Sequence, residues 1–185
     1  MNRDYANRQI ILHWLVVLAI IITYVLAELK GFTPHNSRLH RLMVVTHYSA
    51  GFSVLILMLF RIYLRILHRA REILPSAPRW PLWVAKAAHG LLYLLFITVP
   101  LLGMWSLYLG QVPWSLFGIN MPHVSHPDPA FRHSLRHWHA LLANSGYALI
   151  GLHAGAALIH HYLLRDNTLM KMLPQRRHTP PTQRR

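Results

Sequence analysis

The sequence has 185 residues, of which 54% are hydrophobic and only 13% are charged, so it is poor in charge for a soluble domain. The absence of cysteine excludes disulfides, thiolate-ligated iron–sulfur clusters and covalently attached c-type haem. The net charge of +14 does not indicate binding to nucleic acid, because the basic residues lie between apolar runs and in the C-terminal tail rather than on one amphipathic face.

Four apolar runs are each long enough to cross a lipid bilayer, which takes about 20 residues of α-helix. They cover approximately residues 10–29, 44–67, 82–109 and 138–164. The first run is too long for a cleaved signal peptide, and it contains His13 and Trp14 where such a segment would be plainly apolar. We therefore predict an all-α integral membrane protein. Its four-transmembrane-helix bundle occupies residues 1–174, and a basic, disordered tail follows at residues 175–185.

The distribution of lysine and arginine predicts the orientation of this bundle. Of the 19 basic residues, 14 belong to the N-terminus, the tail and the second connection, including Arg61 and Arg65, whose side chains are expected to snorkel to the interface. The opposite side carries the other five, Lys30, Arg38, Arg41, Arg132 and Arg136. Because cytoplasmic segments of membrane proteins are enriched in basic residues, both termini are predicted to be cytoplasmic.

Four histidines lie within or at the mouth of the apolar runs, where an imidazole is costly and indicates a function. In the predicted orientation, His13 and His153 lie toward the cytoplasm, and His47 and His139 lie toward the outer face. Positions 139 and 153 are separated by about 21 Å of helical rise and share nearly the same face. The matched depths predict two haems b stacked across the membrane. His13 and His153 would bind the inner iron, and His47 and His139 the outer iron.

Other roles for these histidines fit the pattern less well. A single intramembrane histidine is usually a hydrogen-bonded structural residue, but four at matched depths on three helices favour a cofactor. A zinc site would need three or four converging ligands, usually with cysteine or acidic residues among them. None of the five acidic residues lies within a histidine cluster. A histidine-lined metal transporter stays open as a less favoured alternative.

Five segments resemble the prokaryotic cytochrome b561 family, and the resemblance extends over about residues 5–174. These segments are LHW (12–14), HYSAG (47–51), HGLLYLLFITVPLLG (89–103), WHALLANSGYALIGLHAGAALIHHY (138–162) and DNTLMKMLP (166–174). The last two are the most specific. The resemblance implies a four-helix bundle in the bacterial inner membrane, two haems b, ubiquinone as redox partner, and the same four histidine ligands.

Two functions follow from this resemblance. The segments look most like those of bacterial superoxide oxidases, which implies oxidation of superoxide at the periplasmic face and electron transfer to ubiquinone. The five outer basic residues would steer the anion. The chain is also similar, more distantly, to dihaem cytochrome b anchor subunits that take electrons from a soluble dehydrogenase or hydrogenase. The outer loops of only about 14 and 28 residues leave little docking surface, which favours the first function.

Two further histidines lie near the predicted inner site. His160 is two helical turns beyond His153 and on the same face, near the cytoplasmic end of the fourth run. With Gln9 and Arg8 as neighbours it is the predicted quinone site, although an interfacial polar role suits it equally. His89 in the third run either lines a haem pocket or bonds a backbone carbonyl.

Overall fold

The fold is taken from a computed structural model that describes residues 3–67, 79–110, 113–165 and 169–172. Within these ranges four helices are long and apolar enough to cross a membrane, which confirms the predicted bundle. They are α1 (Arg3–Leu29), α2 (Arg38–Leu67), α3 (Arg79–Tyr108) and α4 (Pro129–Tyr162). Short 3₁₀ turns follow α1 at Lys30–Phe32 and α4 at Met170–Met172. The predicted tail at 175–185 lies outside the described residues.

All four helices begin before the apolar runs that predict them, and side-chain caps account for the early starts of α4 and α2. Helix α4 begins at Pro129, where Asp128 caps it by accepting a 2.9 Å hydrogen bond from the backbone N–H of Phe131. Helix α2 begins at Arg38, where the Ser37 hydroxyl accepts a 3.0 Å hydrogen bond from the backbone N–H of His40. The 34 residues of α4 are about 51 Å long. Because the hydrocarbon core is only about 30 Å thick, the first turns of α4 extend beyond it.

The connection between α3 and α4 contains an antiparallel hairpin that the sequence analysis did not predict. Strand β1 (Trp114–Leu116) pairs with β2 (Ile119–Met121) through a turn at Phe117 and Gly118, both of which have positive φ angles. Such a two-residue turn matches the twist of a hairpin. The Phe117 backbone N–H donates a 2.7 Å hydrogen bond to the Ser49 hydroxyl of α2, so the hairpin is fixed against the outer end of that helix.

The helices pack in sequence order, with α1 on α2, α2 on α3 and α3 on α4. The buried core is small and lies halfway along the bundle, made of Val16, Ala19, Val54, Met58, Leu95 and Phe96. Helices α1 and α4 meet at Gly146, where an added Cβ would overlap the hydroxyl of Tyr24. That hydroxyl donates a 2.7 Å hydrogen bond to the Ala143 carbonyl. The apolar core therefore separates the two ends of the bundle, where the histidines lie.

Candidate functional site

The structure brings the four intramembrane histidines together as two pairs, one on each side of the apolar core. The ring centres of His13 and His153 are 6.5 Å apart, and those of His47 and His139 are also 6.5 Å apart. These are the pairs that depth alone predicted from the sequence. Helix α4 contributes one ring to each pair, while α1 and α2 contribute the others.

The ring separation is that of two imidazoles on opposite sides of one metal ion. A metal–imidazole bond is about 2.1 Å long, and with each ring centre about 1.1 Å behind its nitrogen, two trans ligands have centres about 6.4 Å apart. In the described part of the chain, no three His, Asp or Glu side chains form a cluster suited to a metal ion. The arrangement therefore suits a planar metal complex with two free axial positions and does not suit a tetrahedral zinc site.

Following the predicted orientation, we call His47 and His139 the outer pair and His13 and His153 the inner pair. The outer pair is held in the tautomer that a metal ligand needs. Nδ1 of His47 lies 2.9 Å from the Thr23 carbonyl oxygen, and Nδ1 of His139 lies 2.9 Å from the Val99 carbonyl oxygen. Because a carbonyl can only accept, Nδ1–H is the donor in both contacts, which leaves the Nε2 lone pair of each ring unprotonated. The two main-chain carbonyls fix both the ring orientation and the nitrogen available to a metal.

Both rings of the outer pair line a cavity of about 300 Å³. Gly103 of α3 contributes to its wall, and an added Cβ there would come within 3.0 Å of the His139 ring. Helices α3 and α4 therefore approach each other closely at Gly103. An aromatic and aliphatic wall completes the cavity, including Phe52, Val54 and Phe96.

Three basic side chains line the mouth of this outer cavity, Lys30, Arg132 and Arg136. Arg132 packs against Gly110, where an added Cβ would come within 3.1 Å of its guanidinium. Arg38 and Arg41 are exposed on α2 and are not among the residues that line the cavity. The five predicted steering residues thus separate into three at the mouth and two elsewhere on the same end of the bundle.

The inner pair has different neighbours. Nη1 of the Arg61 guanidinium lies 3.3 Å from Nδ1 of His13, in the place where each outer ring has a main-chain carbonyl. The His89 ring centre lies 5.2 Å from that of His153, and Nδ1–H of His89 donates to the Ala85 carbonyl at 2.6 Å. The carbonyl bond considered for His89 is therefore present, and its ring lies beside that of His153. At 5.2 Å, however, the His89 and His153 rings are too close to be trans ligands of one metal ion.

Arg61 was not among the inner-site residues predicted from the sequence. Its side chain was expected to snorkel to the interface, but the structure turns it inward, half-buried beside His13 and 5.8 Å from the Tyr93 ring centre. The available signal was its depth: Arg61 lies on an apolar run, at the end of the bundle that holds His13. The count of basic residues uses Arg61 only as an indicator of membrane orientation.

The structure gives the predicted quinone residues separate surroundings. The Gln9 amide donates a 3.3 Å hydrogen bond to the Arg61 carbonyl, which connects α1 with α2. Arg8 and His160 are exposed on α1 and α4. The indole N–H of Trp14 donates a 2.8 Å hydrogen bond to the Met172 carbonyl, so the turn after α4 closes over the same end of the bundle.

Comparison with known proteins identifies relatives of this chain. The chain matches prokaryotic cytochrome b561 over residues 4–175. It is 40% identical over 177 residues to the "Probable superoxide oxidase CybB" of Yersinia pestis, a match that covers 96% of this chain and 99% of that protein. It is 39% identical over 177 residues to "Cytochrome b561 homolog 1" of Escherichia coli, covering 96% of this chain and all of that protein. "Cytochrome b562" of Cereibacter sphaeroides is 31% identical over 176 residues, covering 93% and 96% respectively.

Proposed function

Because the chain belongs to the prokaryotic cytochrome b561 family and is a multi-pass inner-membrane cytochrome b, we propose that it holds two haems b and transfers electrons from superoxide to ubiquinone. The single observation that carries this proposal is the 6.5 Å spacing of rings in both histidine pairs. His13 and His153 would be the axial ligands of the inner haem, and His47 and His139 those of the outer haem. The "superoxide oxidase" name of the 40% identical relative favours superoxide as the donor.

The residues around each pair suit one-electron chemistry with a small anion. When bound, haem b supplies reversible one-electron oxidation and reduction at each site. Lys30, Arg132 and Arg136 at the outer cavity mouth would attract superoxide and raise its local concentration. Two superoxide anions each lose one electron and leave as oxygen. One ubiquinone takes up the two electrons and two protons and leaves as ubiquinol.

The proposal requires the outer cavity to face the periplasm, and the excess of basic residues at the other end supports this orientation. A reporter enzyme that is active only outside the cytoplasm should be inactive when fused after Arg185. It should be active when inserted near Asp128, between β2 and α4. The measurement is reporter activity normalised to the amount of fusion protein. The opposite pattern would contradict the orientation and exchange the roles of the two histidine pairs.

The quinone site is proposed at the cytoplasmic end, around His160, with Arg8 and Gln9 as polar candidates from α1. An exposed imidazole two turns beyond His153 can exchange protons with a quinone headgroup near the inner site. We expect His160→Ala to slow ubiquinone reduction roughly tenfold while leaving haem reduction by superoxide unchanged. Stopped-flow absorbance of the purified protein, mixed first with superoxide and then with a soluble quinone, separates the two steps.

One control variant and two contrary outcomes decide this experiment. Thr46→Ala changes a polar residue at the outer end of α2 and should affect neither step. Unchanged quinone reduction in His160→Ala would contradict this location for the site. A purified wild type that ignores superoxide but retains a catalytic subunit through purification would instead favour the anchor-subunit function.

A further inference from the structure

We propose that Arg61 is a positioning residue for electron transfer, whose charge raises the reduction potential of the inner haem above that of the outer haem. The inference rests on the proposed pair of haems, and it adds a direction to the electron path between them. A fixed positive charge near a redox centre stabilises the reduced form, because reduction removes one positive charge from that centre. The effect is largest where the charge is shielded from water.

The position of Arg61 meets both conditions. Its guanidinium lies 3.3 Å from the His13 ring and is half-buried among α1, α2 and α3. The Tyr93 ring lies under the guanidinium, with its centre 5.8 Å from the guanidinium carbon. The Gln9 amide holds the Arg61 backbone through a 3.3 Å hydrogen bond. The Tyr93 ring and the Gln9 amide therefore hold the cation beside His13, one of the proposed ligands.

No described carboxylate neutralises this charge. Of the acidic side chains that the structure describes, Glu28 accepts a 2.7 Å hydrogen bond from the Tyr147 hydroxyl. Asp128 caps α4 by bonding the backbone N–H of Phe131 at 2.9 Å. Both belong to the outer end of the bundle. The Nε atom of Arg61 is buried and has no hydrogen-bond partner within the described residues, so its charge is also incompletely solvated.

The outer pair has the opposite arrangement. His47 and His139 each donate Nδ1–H to a main-chain carbonyl at 2.9 Å, which makes a ring more electron-donating and stabilises the oxidised metal. Lys30, Arg132 and Arg136 also line the cavity around this pair, and Nε of Arg132 is buried as well, but the described residues show none of the three in contact with either ring. Among the described residues, the cation in contact with a proposed ligand is therefore at the inner site, which favours electron transfer from the outer site toward the inner one.

The test is a redox titration of the purified protein, followed through the visible absorbance of the haems. In Arg61→Gln, we expect one of the two midpoint potentials to fall, reducing the equilibrium constant for outer-to-inner electron transfer roughly tenfold, or about 59 mV for one electron. Arg61→Lys should retain most of the wild-type potential. Arg65→Gln, one turn further along α2 and exposed, is the matched control and should shift neither potential.

Repeating the substitution in a second variant shows which haem has the shifted midpoint potential. In His47→Ala, which should retain only the inner haem, adding Arg61→Gln should lower the potential of the remaining haem by the same amount. A shift confined to the outer haem, or no shift at all, would overturn the proposal. A rise in potential would also overturn it, because the guanidinium would then be stabilising a deprotonated His13 ring.

Packing and charge are separated by a further neutral variant, Arg61→Met, which keeps the apolar stem over Tyr93. Loss of the inner haem in both neutral variants would contradict the proposal, since it assigns to Arg61 a charge and not a structural requirement. The potentials are measured without superoxide or quinone. This result can therefore be interpreted even if superoxide and quinone prove not to be the substrates. A wild type that does not bind two haems would instead contradict the proposed function itself.

Discussion

Replacing His139 with alanine should remove the outer haem and leave the inner haem in place, whereas His153→Ala should do the reverse. Each substitution empties one axial position in a buried site, and the remaining ring cannot hold the metal complex in a six-coordinate, low-spin state. We expect a loss of about one haem per chain, or conversion of one haem to a high-spin spectrum. Haem content and visible spectra of the purified variants measure the effect.

The His89 ring provides an internal control for this prediction. It lies closer to His153 than His13 does, at 5.2 Å against 6.5 Å between ring centres, yet its distance does not suit a trans ligand. His89→Ala should therefore retain two low-spin haems, and His13→Ala should not. Retention of both low-spin haems in either His139→Ala or His153→Ala would show that the ligand assignment is wrong. Loss of the inner haem in His89→Ala, with both haems retained in His13→Ala, would show that His89 and not His13 is the ligand.

Reversing the charge at the outer cavity mouth should slow haem reduction by superoxide. The variant Lys30→Glu/Arg136→Glu replaces two cations that line the cavity with two anions, so an approaching anion meets repulsion instead of attraction. Electrostatic steering changes association rates by about 10- to 1,000-fold, and we expect a slowing of at least roughly tenfold at low salt. Stopped-flow absorbance at several ionic strengths gives the rate. The wild-type rate should fall as salt rises, because the Debye length shrinks from about 10 Å at 0.1 M to about 3 Å at 1 M.

The matched control uses the other two predicted steering residues. Arg38→Glu/Arg41→Glu makes the same change in net charge at the same end of the bundle, but neither residue lines the cavity. This variant should slow the reaction much less. Equal slowing by both pairs would contradict a local role for the cavity mouth. A rate that ignores salt and charge reversal alike would contradict steering, and would favour an uncharged donor or a docked protein partner.

Much of the fold could be predicted because hydrophobicity and helical geometry determine it directly. The 14-residue interval between His139 and His153 fixes their relative depth and face on a straight helix, so the two pairs follow from simple rise and rotation. Helix ends were less accessible, because apolar runs report membrane depth and not helix length. Attention to Asp128 before Pro129 would have moved the start of α4, since an acidic cap followed by proline favours a helix N-terminus.

The hydrogen-bond partners of the histidine rings could not be predicted from the sequence. The outer rings bond to the carbonyls of Thr23 and Val99, which are main-chain groups. Every residue has such a carbonyl, so the residue type does not indicate which one is the partner. Arg61 illustrates a second limit. An arginine at the end of an apolar run can turn toward the interface or toward the bundle interior, and only the packing of α1 against α2 and α3 decides between them.

The haem-to-protein ratio of the purified wild type, together with its visible spectrum, tests whether one chain binds two bis-histidine haems. We expect two haems b per chain, both low-spin in the oxidised and reduced states. A ratio of one would show that only one histidine pair binds haem. A colourless protein would contradict the haem assignment altogether and return the histidines to a metal-transport or structural role.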